Sequence, residues 1–87
     1  MTKPEKTDAA SSFIAFEERL TKIYGPLLAS RDLWKVLGYS SPAAYRQSRI
    51  RGQIPVVEFK IDGRRGRFAL TRDVAVWLFE TSAKANN

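Results

Sequence analysis

Glycine residues divide this 87-residue sequence into short segments, and three of them follow stretches whose spacing fits a helix. Gly25, Gly38 and Gly52 each stand just beyond such a stretch, where a residue in the left-handed backbone conformation commonly ends a helix. With so many stops, the chain can form only short elements packed around one modest core. We therefore predict a single domain built mainly from short helices.

The segment before Gly25 has the clearest helical pattern. Its apolar residues recur three or four positions apart and fall on one side of a helix. They are Phe13, Phe16, Leu20, Ile23 and Tyr24. Residues 1–11 carry no apolar face, so we expect a flexible tail there, followed by an amphipathic N-terminal helix within residues 12–25.

Two further helices are predicted in the middle of the chain. Ser30 has the side chain of a helix N-cap, and the helix that follows it should end at Gly38. Ser41 can cap the next helix and Pro42 suits its first position, so this helix should run to about Arg51. Two short helices joined by a tight turn are typical of a helix-turn-helix motif.

After the third glycine stop the sequence changes to the two-residue alternation of a β-strand. Apolar and charged residues alternate within residues 54–61, and residues 67–70 can return as the partner strand. The connection begins with an Asp-Gly pair at 62–63, which is typical of a β-hairpin. We therefore predict a hairpin whose tip is rich in arginine.

The chain closes with another predicted helix. Thr71 can cap it, and Val74, Trp77 and Leu78 have core spacing. The expected fold class is therefore α+β and mostly helical, with a domain at residues 26–82 and a short C-terminal tail at 83–87.

The net charge of +6 is concentrated in the second half of the chain. Residues 1–30 carry equal numbers of basic and acidic side chains, whereas eight basic residues and only two acidic ones lie between Arg46 and Arg72. Such a cluster is typical of a protein that binds a polyanion, because each cation placed on a phosphate releases condensed counterions. The alternative is a surface charged only for solubility, which does not require clustering.

The sequence contains neither cysteine nor histidine. Their absence removes disulfides, thiolate and imidazole metal ligands, and the usual pairs of nucleophile and base. We expect no enzymatic activity, no cofactor and no metal. No apolar run is long enough to span a bilayer or form a signal sequence, so we expect a cytoplasmic protein with no membrane partner. We also expect no small-molecule ligand, because no additional segment is large enough for an obvious pocket.

The stretch from Leu28 to Leu78 resembles the winged helix-turn-helix of the MerR superfamily, in particular its small excisionase and prophage-regulator branch. The resemblance lies in four motifs in this order: LLASRDLWKVLGYSSPAAY, RGQIP, KIDGRRGRFAL and TRDVAVWL. It implies a recognition helix that ends near RGQIP, a hairpin that forms the wing, and a closing helix that contains Trp77. It also implies sequence-specific binding of double-stranded DNA by a transcriptional regulator or an excisionase-like accessory factor.

The predicted helix after Ser41 supplies the candidate base-reading residues, because a helix of this length fits the major groove of B-DNA. With Ala43 and Ile50 turned toward the core, the opposite side should face outward. Tyr45 and Arg49 should lie on that outward side, with Arg46 at its margin. We expect the two arginines to read bases, guanine being their preferred target, and Tyr45 to contact a backbone oxygen or a thymine methyl.

Further candidate contacts surround this helix. Ser40 and Ser41 lie beside the free amides of the helix start, which suit a phosphate. Arg51 either contacts DNA or satisfies carbonyls of the last turn. The expected minor-groove contacts at the hairpin tip are Arg64, Arg65 and Arg67. Weaker candidates for phosphate contact are Arg31, Lys35, Lys60 and Arg72.

The N-terminal helix and the function each leave alternatives open. The apolar stripe of the helix packs either on its own domain or on a second copy, and we favour a homodimer because two-fold sites strengthen DNA binding. For the function, the alternatives are a nonspecific binder of RNA or DNA and a protein-interaction module with a basic face. The first alternative predicts similar affinity for unrelated duplexes.

Overall fold

The computed structural model describes residues 5–85, with side chains from residue 11 onward. Within this range the chain is α+β and mostly helical, with four helices and one two-stranded antiparallel sheet. The elements are α1 (Glu5–Tyr24), β1 (Leu27–Ala29), α2 (Ser30–Val36), α3 (Pro42–Ile50), β2 (Phe68–Leu70) and α4 (Thr71–Ala85). Among these residues, the helices are all too short or too polar to pass through a lipid bilayer.

The helix ends predicted from the glycine pattern are confirmed. α1 ends directly before Gly25, while α2 and α3 end at C-cap residues that directly precede Gly38 and Gly52. The three glycines have φ values of 80°, 91° and 69°, in the region that L residues rarely adopt. Local sequence signals therefore set the lengths of these three helices at their C-terminal ends.

Both expected tails are shorter than predicted. α1 begins at Glu5, so the prediction of a tail is wrong for residues 5–11, and α4 continues to Ala85. Both extensions contain alanine and lysine, which favour helix even without an apolar face, and they prolong helices that are already anchored by packing. The rest of the expected tails, residues 1–4 and 86–87, lies outside the described residues.

One compact hydrophobic cluster joins the sheet to α2, α3 and α4. Its buried members are Leu28, Leu33, Leu37, Tyr45, Ala69 and Val74. Leu28 and Ala69 face each other at the centre of the β1–β2 ladder, and both are almost fully buried. Trp77 and Leu78 pack against the cluster as partly buried residues, as their spacing in the sequence predicted.

Most of the apolar side of α1 is covered by α4 of the same chain, but Ile23, predicted on that side, is 67% exposed. The ring of Phe79 lies 5.5 Å from that of Phe13 and 6.4 Å from that of Phe16. At the other end of the pair, the Thr71 hydroxyl donates to the carbonyl of Gly25 over 2.7 Å, so the two helices run antiparallel. The intramolecular alternative therefore accounts for the aromatic residues of α1, and the homodimer stays a prediction.

The predicted hairpin is largely absent among the described residues. β2 forms, but it pairs with β1, and from residues 54–61 only Phe59 joins it through an isolated bridge to Phe68. Pro55 has no amide hydrogen to donate, and the Glu58 side chain is bonded to Tyr45 and Arg49 of α3. Residues 60–67, which we call the basic loop, therefore form an irregular connection between the two bridged phenylalanines.

Candidate nucleic-acid interface

α3 begins as the sequence predicts. The Ser41 hydroxyl accepts a hydrogen bond from the backbone N–H of Ala44 over 3.1 Å, and Pro42 occupies the first turn. Ser41 is half-buried in this role, whereas Ser40 is exposed. The cap fixes where the helix starts. Both serines were expected to contact a phosphate, and the hydroxyl of Ser40 is more accessible for this contact than that of Ser41.

The predicted orientation of α3 is wrong. Tyr45, expected on the outer side, is only 2% exposed, whereas Ile50, expected in the core, is 78% exposed. The Tyr45 ring lies 5.7 Å from that of Tyr39, whose hydroxyl bonds to the buried Ser48 hydroxyl over 2.8 Å. The Tyr45 ring belongs to the core cluster while its hydroxyl donates to Glu58, and this placement sets the rotation of the helix.

This rotation places a different set of residues on the outer face of α3. They are Ala43, Arg46, Gln47 and Ile50, and all four are exposed. Arg46 was predicted at the margin of the outer face and in fact belongs to it. Gln47 is a new candidate contact residue that the sequence reading missed. The burial of Tyr45 would have indicated Gln47. Gln47 lies two positions after Tyr45, and on a helix it therefore points about 200° away from the buried ring.

Arg49, the other expected base reader, is held by an acidic partner. Its Nε and Nη2 atoms donate to the two carboxylate oxygens of Glu58 over 3.0 and 3.3 Å, and its guanidinium lies 4.8 Å from the centre of the Tyr45 ring. The Tyr45 hydroxyl donates to the same carboxylate. The bond to Glu58 is the largest cause that raises the pKa of Arg49, so the guanidinium stays charged but is not free to turn outward.

The phenol of Tyr45 should make the chain less stable at high pH. Burial, followed by the hydrogen bond to Glu58, raises the pKa of Tyr45 from 10.0 to about 12. The folded chain therefore keeps its proton where the unfolded chain loses it, and this stabilisation is complete below pH 10 and disappears between pH 10 and about 12. Within that window the loss should approach about 1.4 kcal/mol per pH unit. Urea unfolding at several pH values measures it.

The Tyr45→Phe variant is the control for this titration. It keeps the ring but has no phenolic proton, so its unfolding free energy should fall less steeply over the same window. Identical pH dependence in the two proteins would show that the buried hydroxyl does not titrate as described.

A basic groove of about 540 Å³ lies between α2, α3 and the basic loop. Its basic lining residues are Arg31, Arg46, Arg49, Lys60 and Arg67. The rings of Trp34, Pro42 and Tyr45 provide apolar wall between these cations. Because Glu58 pairs with only one of the five, the lining keeps a net positive charge, which favours an anion.

The base of the basic loop is attached to the start of α2. The Ser30 hydroxyl accepts from the N–H of Arg67 and donates to its carbonyl, both over 3.0 Å. Ser30 was predicted as an N-cap, but the N-cap is Ala29, because this hydroxyl is already used by the loop. Gly66 has a φ of 79°, and a Cβ there would lie 3.0 Å from the Ser30 oxygen, so the contact requires glycine.

Of the remaining predicted contacts, some line the groove and others are exposed outside its lining. Arg64 and Arg65 are exposed on the basic loop, and Arg67 is half-buried in the groove wall. Arg51 is the exposed C-cap of α3. Of the weaker candidates, Arg31 and Lys60 line the groove. Lys35 instead lies over the Trp34 ring, and Arg72 is exposed on α4.

Comparisons of the chain with protein families, with curated proteins and with solved structures found no match. Its function is therefore inferred from the groove, the outer face of α3 and the basic loop themselves.

Proposed function

We propose that this chain binds double-stranded DNA in a sequence-specific manner, as a transcriptional regulator or an excisionase-like accessory factor. The observation that carries the proposal is the groove between α2, α3 and the basic loop, which brings together cations from three separate elements. A surface charged only for solubility would not gather its cations into one concave site. A polyanion with regularly spaced phosphates fits such a site, because every contact releases counterions.

α3 is the element proposed to enter the major groove. Its nine residues span about 14 Å, a length that the major groove of B-DNA admits. Arg46 belongs both to the outer face of α3 and to the lining of the basic groove, so it can reach base edges while neighbouring cations meet phosphates. We therefore propose Arg46, in place of Arg49, as the main base-reading residue. Arg49 contributes positive charge to the wall of the groove.

The basic loop is proposed to act as the wing of a winged helix-turn-helix. Arg64 and Arg65 are both exposed at its outer part, and arginine is favoured in narrow minor grooves, where the potential is most negative. The bonds between Ser30 and Arg67 hold the loop beside α2, so that α3 and the loop can contact adjacent grooves of one duplex.

Selection of bound fragments from a pool of random duplexes, followed by sequencing, tests the proposal. Specific binding should enrich a short motif, and an inverted repeat of that motif would support the proposed homodimer. Retention of all duplexes without enrichment would instead indicate a nonspecific nucleic-acid binder. If no duplex is retained even at low salt, the proposal is wrong.

The wing residues should contribute affinity without specificity. Arg64→Ala and Arg65→Ala should each weaken binding to selected and to random duplex by similar factors, because phosphate and minor-groove contacts carry little base information. Each variant should also reduce the slope of log K against log salt concentration by roughly 0.9. Fluorescence anisotropy over a salt series measures both quantities. A loss confined to the selected duplex would contradict this assignment.

A further inference from the structure

The outer face of α3 carries an isoleucine that the fold does not use. Ile50 is 78% exposed, more than the other large exposed apolar residues of the described chain, and it lies one helical turn from Arg46. Residues four positions apart are neighbours on a helix surface, so the two side chains present one combined contact area. The chain therefore places an apolar group directly beside its best-placed base-reading cation.

We propose that Ile50 recognises the C5 methyl group of a thymine in the major groove, next to the base pair read by Arg46. This inference rests on the proposed DNA-binding function, and it specifies one base of the preferred DNA sequence. The thymine methyl is the apolar group that the major-groove edges of the four standard bases present, and aliphatic side chains are its usual partners.

The position of Ile50 favours DNA over a protein as the partner. Arg46 lines the basic groove, and Arg49, the residue that precedes Ile50, lines the same groove. Arg51, on the other side of Ile50 in the sequence, is exposed as well. An apolar side chain between the exposed cations Arg46 and Arg51 is poorly suited to an apolar protein interface, but it fits a duplex, whose phosphates can pair with such cations around the bases.

Replacement of thymine by deoxyuridine gives a direct test, because it removes the methyl group and keeps the base pairing. In the motif enriched from the random pool, each thymine is replaced in turn and the dissociation constant is measured. Loss of one buried methyl should weaken binding about fourfold at the thymine that Ile50 contacts. In Ile50→Ala, thymine and deoxyuridine at that position should bind equally well.

Val57→Ala is the matched control, because Val57 is 69% exposed and lies outside α3. This variant should keep the preference for thymine. The inference is overturned if no thymine is sensitive to the replacement, or if Ile50→Ala retains the full preference. Failure of the proposed function has a different signature, since no motif would then be enriched at all.

Discussion

Replacing Arg46 with alanine should weaken binding to the selected duplex by about 1 to 3 kcal/mol, and binding to random duplex by much less. Arg46 is exposed on the outer face of α3 and also lines the basic groove. An arginine in this position can donate two hydrogen bonds to one guanine, and other bases do not offer that pair of acceptors. The substitution should therefore also relax the base preference at one position of the motif.

Arg19→Ala is the control for this experiment. It removes the same charge from an exposed position on α1, outside the residues that line the basic groove. Anisotropy titrations with selected and random duplex should show a small and similar change for both DNAs. If Arg46→Ala reduces both affinities equally, Arg46 contacts phosphate and does not read a base.

Tyr45→Ala should destabilise the fold by about 3 to 5 kcal/mol, the usual cost of removing a large buried aromatic side chain. The ring is 2% exposed and belongs to the core cluster. Its hydroxyl also occupies the Glu58 carboxylate, which would lose this donor. For a domain of this size, such a loss is a large part of the total unfolding free energy.

Urea unfolding followed by circular dichroism measures this effect, and Ile50→Ala is the matched comparison within the same helix. Because Ile50 is largely exposed, its replacement should change the unfolding free energy by no more than about 0.5 kcal/mol. The reverse ranking of the two variants would mean that α3 has the orientation first expected from the sequence.

Local signals in the sequence were sufficient for most of the helix boundaries. The Ser41 cap, Pro42 in the first turn and the glycine after each C-cap act through contacts with residues only a few positions away. Such signals do not depend on the rest of the fold, so they could be read without it. The exceptions include Ser30, whose hydroxyl bonds to Arg67 across the domain, and Thr71, predicted as a cap, whose hydroxyl donates to the Gly25 carbonyl. The start of α1 and the end of α4 also lie beyond their predicted bounds.

The orientation of α3 involves a tertiary contact that the sequence did not reveal. Glu58 lies in the segment expected to be a strand, yet its carboxylate binds both Tyr45 and Arg49. The bonded residues are 13 and 9 positions apart in the sequence, and the contact gives the hydroxyl of the buried tyrosine an acceptor. Alternation of apolar and charged residues favours a strand only if no tertiary contact competes.

The charge cluster was visible in the sequence, but the distribution of free cations was not. Composition placed the excess of arginine between Arg46 and Arg72, and the structure gathers part of it, with Arg31 from α2, into one groove. Which arginines remain available depends on the position of the single carboxylate of Glu58. Because that carboxylate pairs with Arg49, Arg46 is the arginine of α3 that we propose to read a base.

Duplex DNA is proposed to lie against α3, the basic groove and the basic loop. Titration of the isotope-labelled chain with a short duplex, followed by amide NMR shifts, tests this arrangement. We expect the largest shifts in α3 and in residues 60–67, and smaller ones at the start of α2. Amide signals from the middle of α1 should not move when DNA is added. Shifts concentrated on α1 and α4, with α3 and the basic loop unchanged, would contradict the claim.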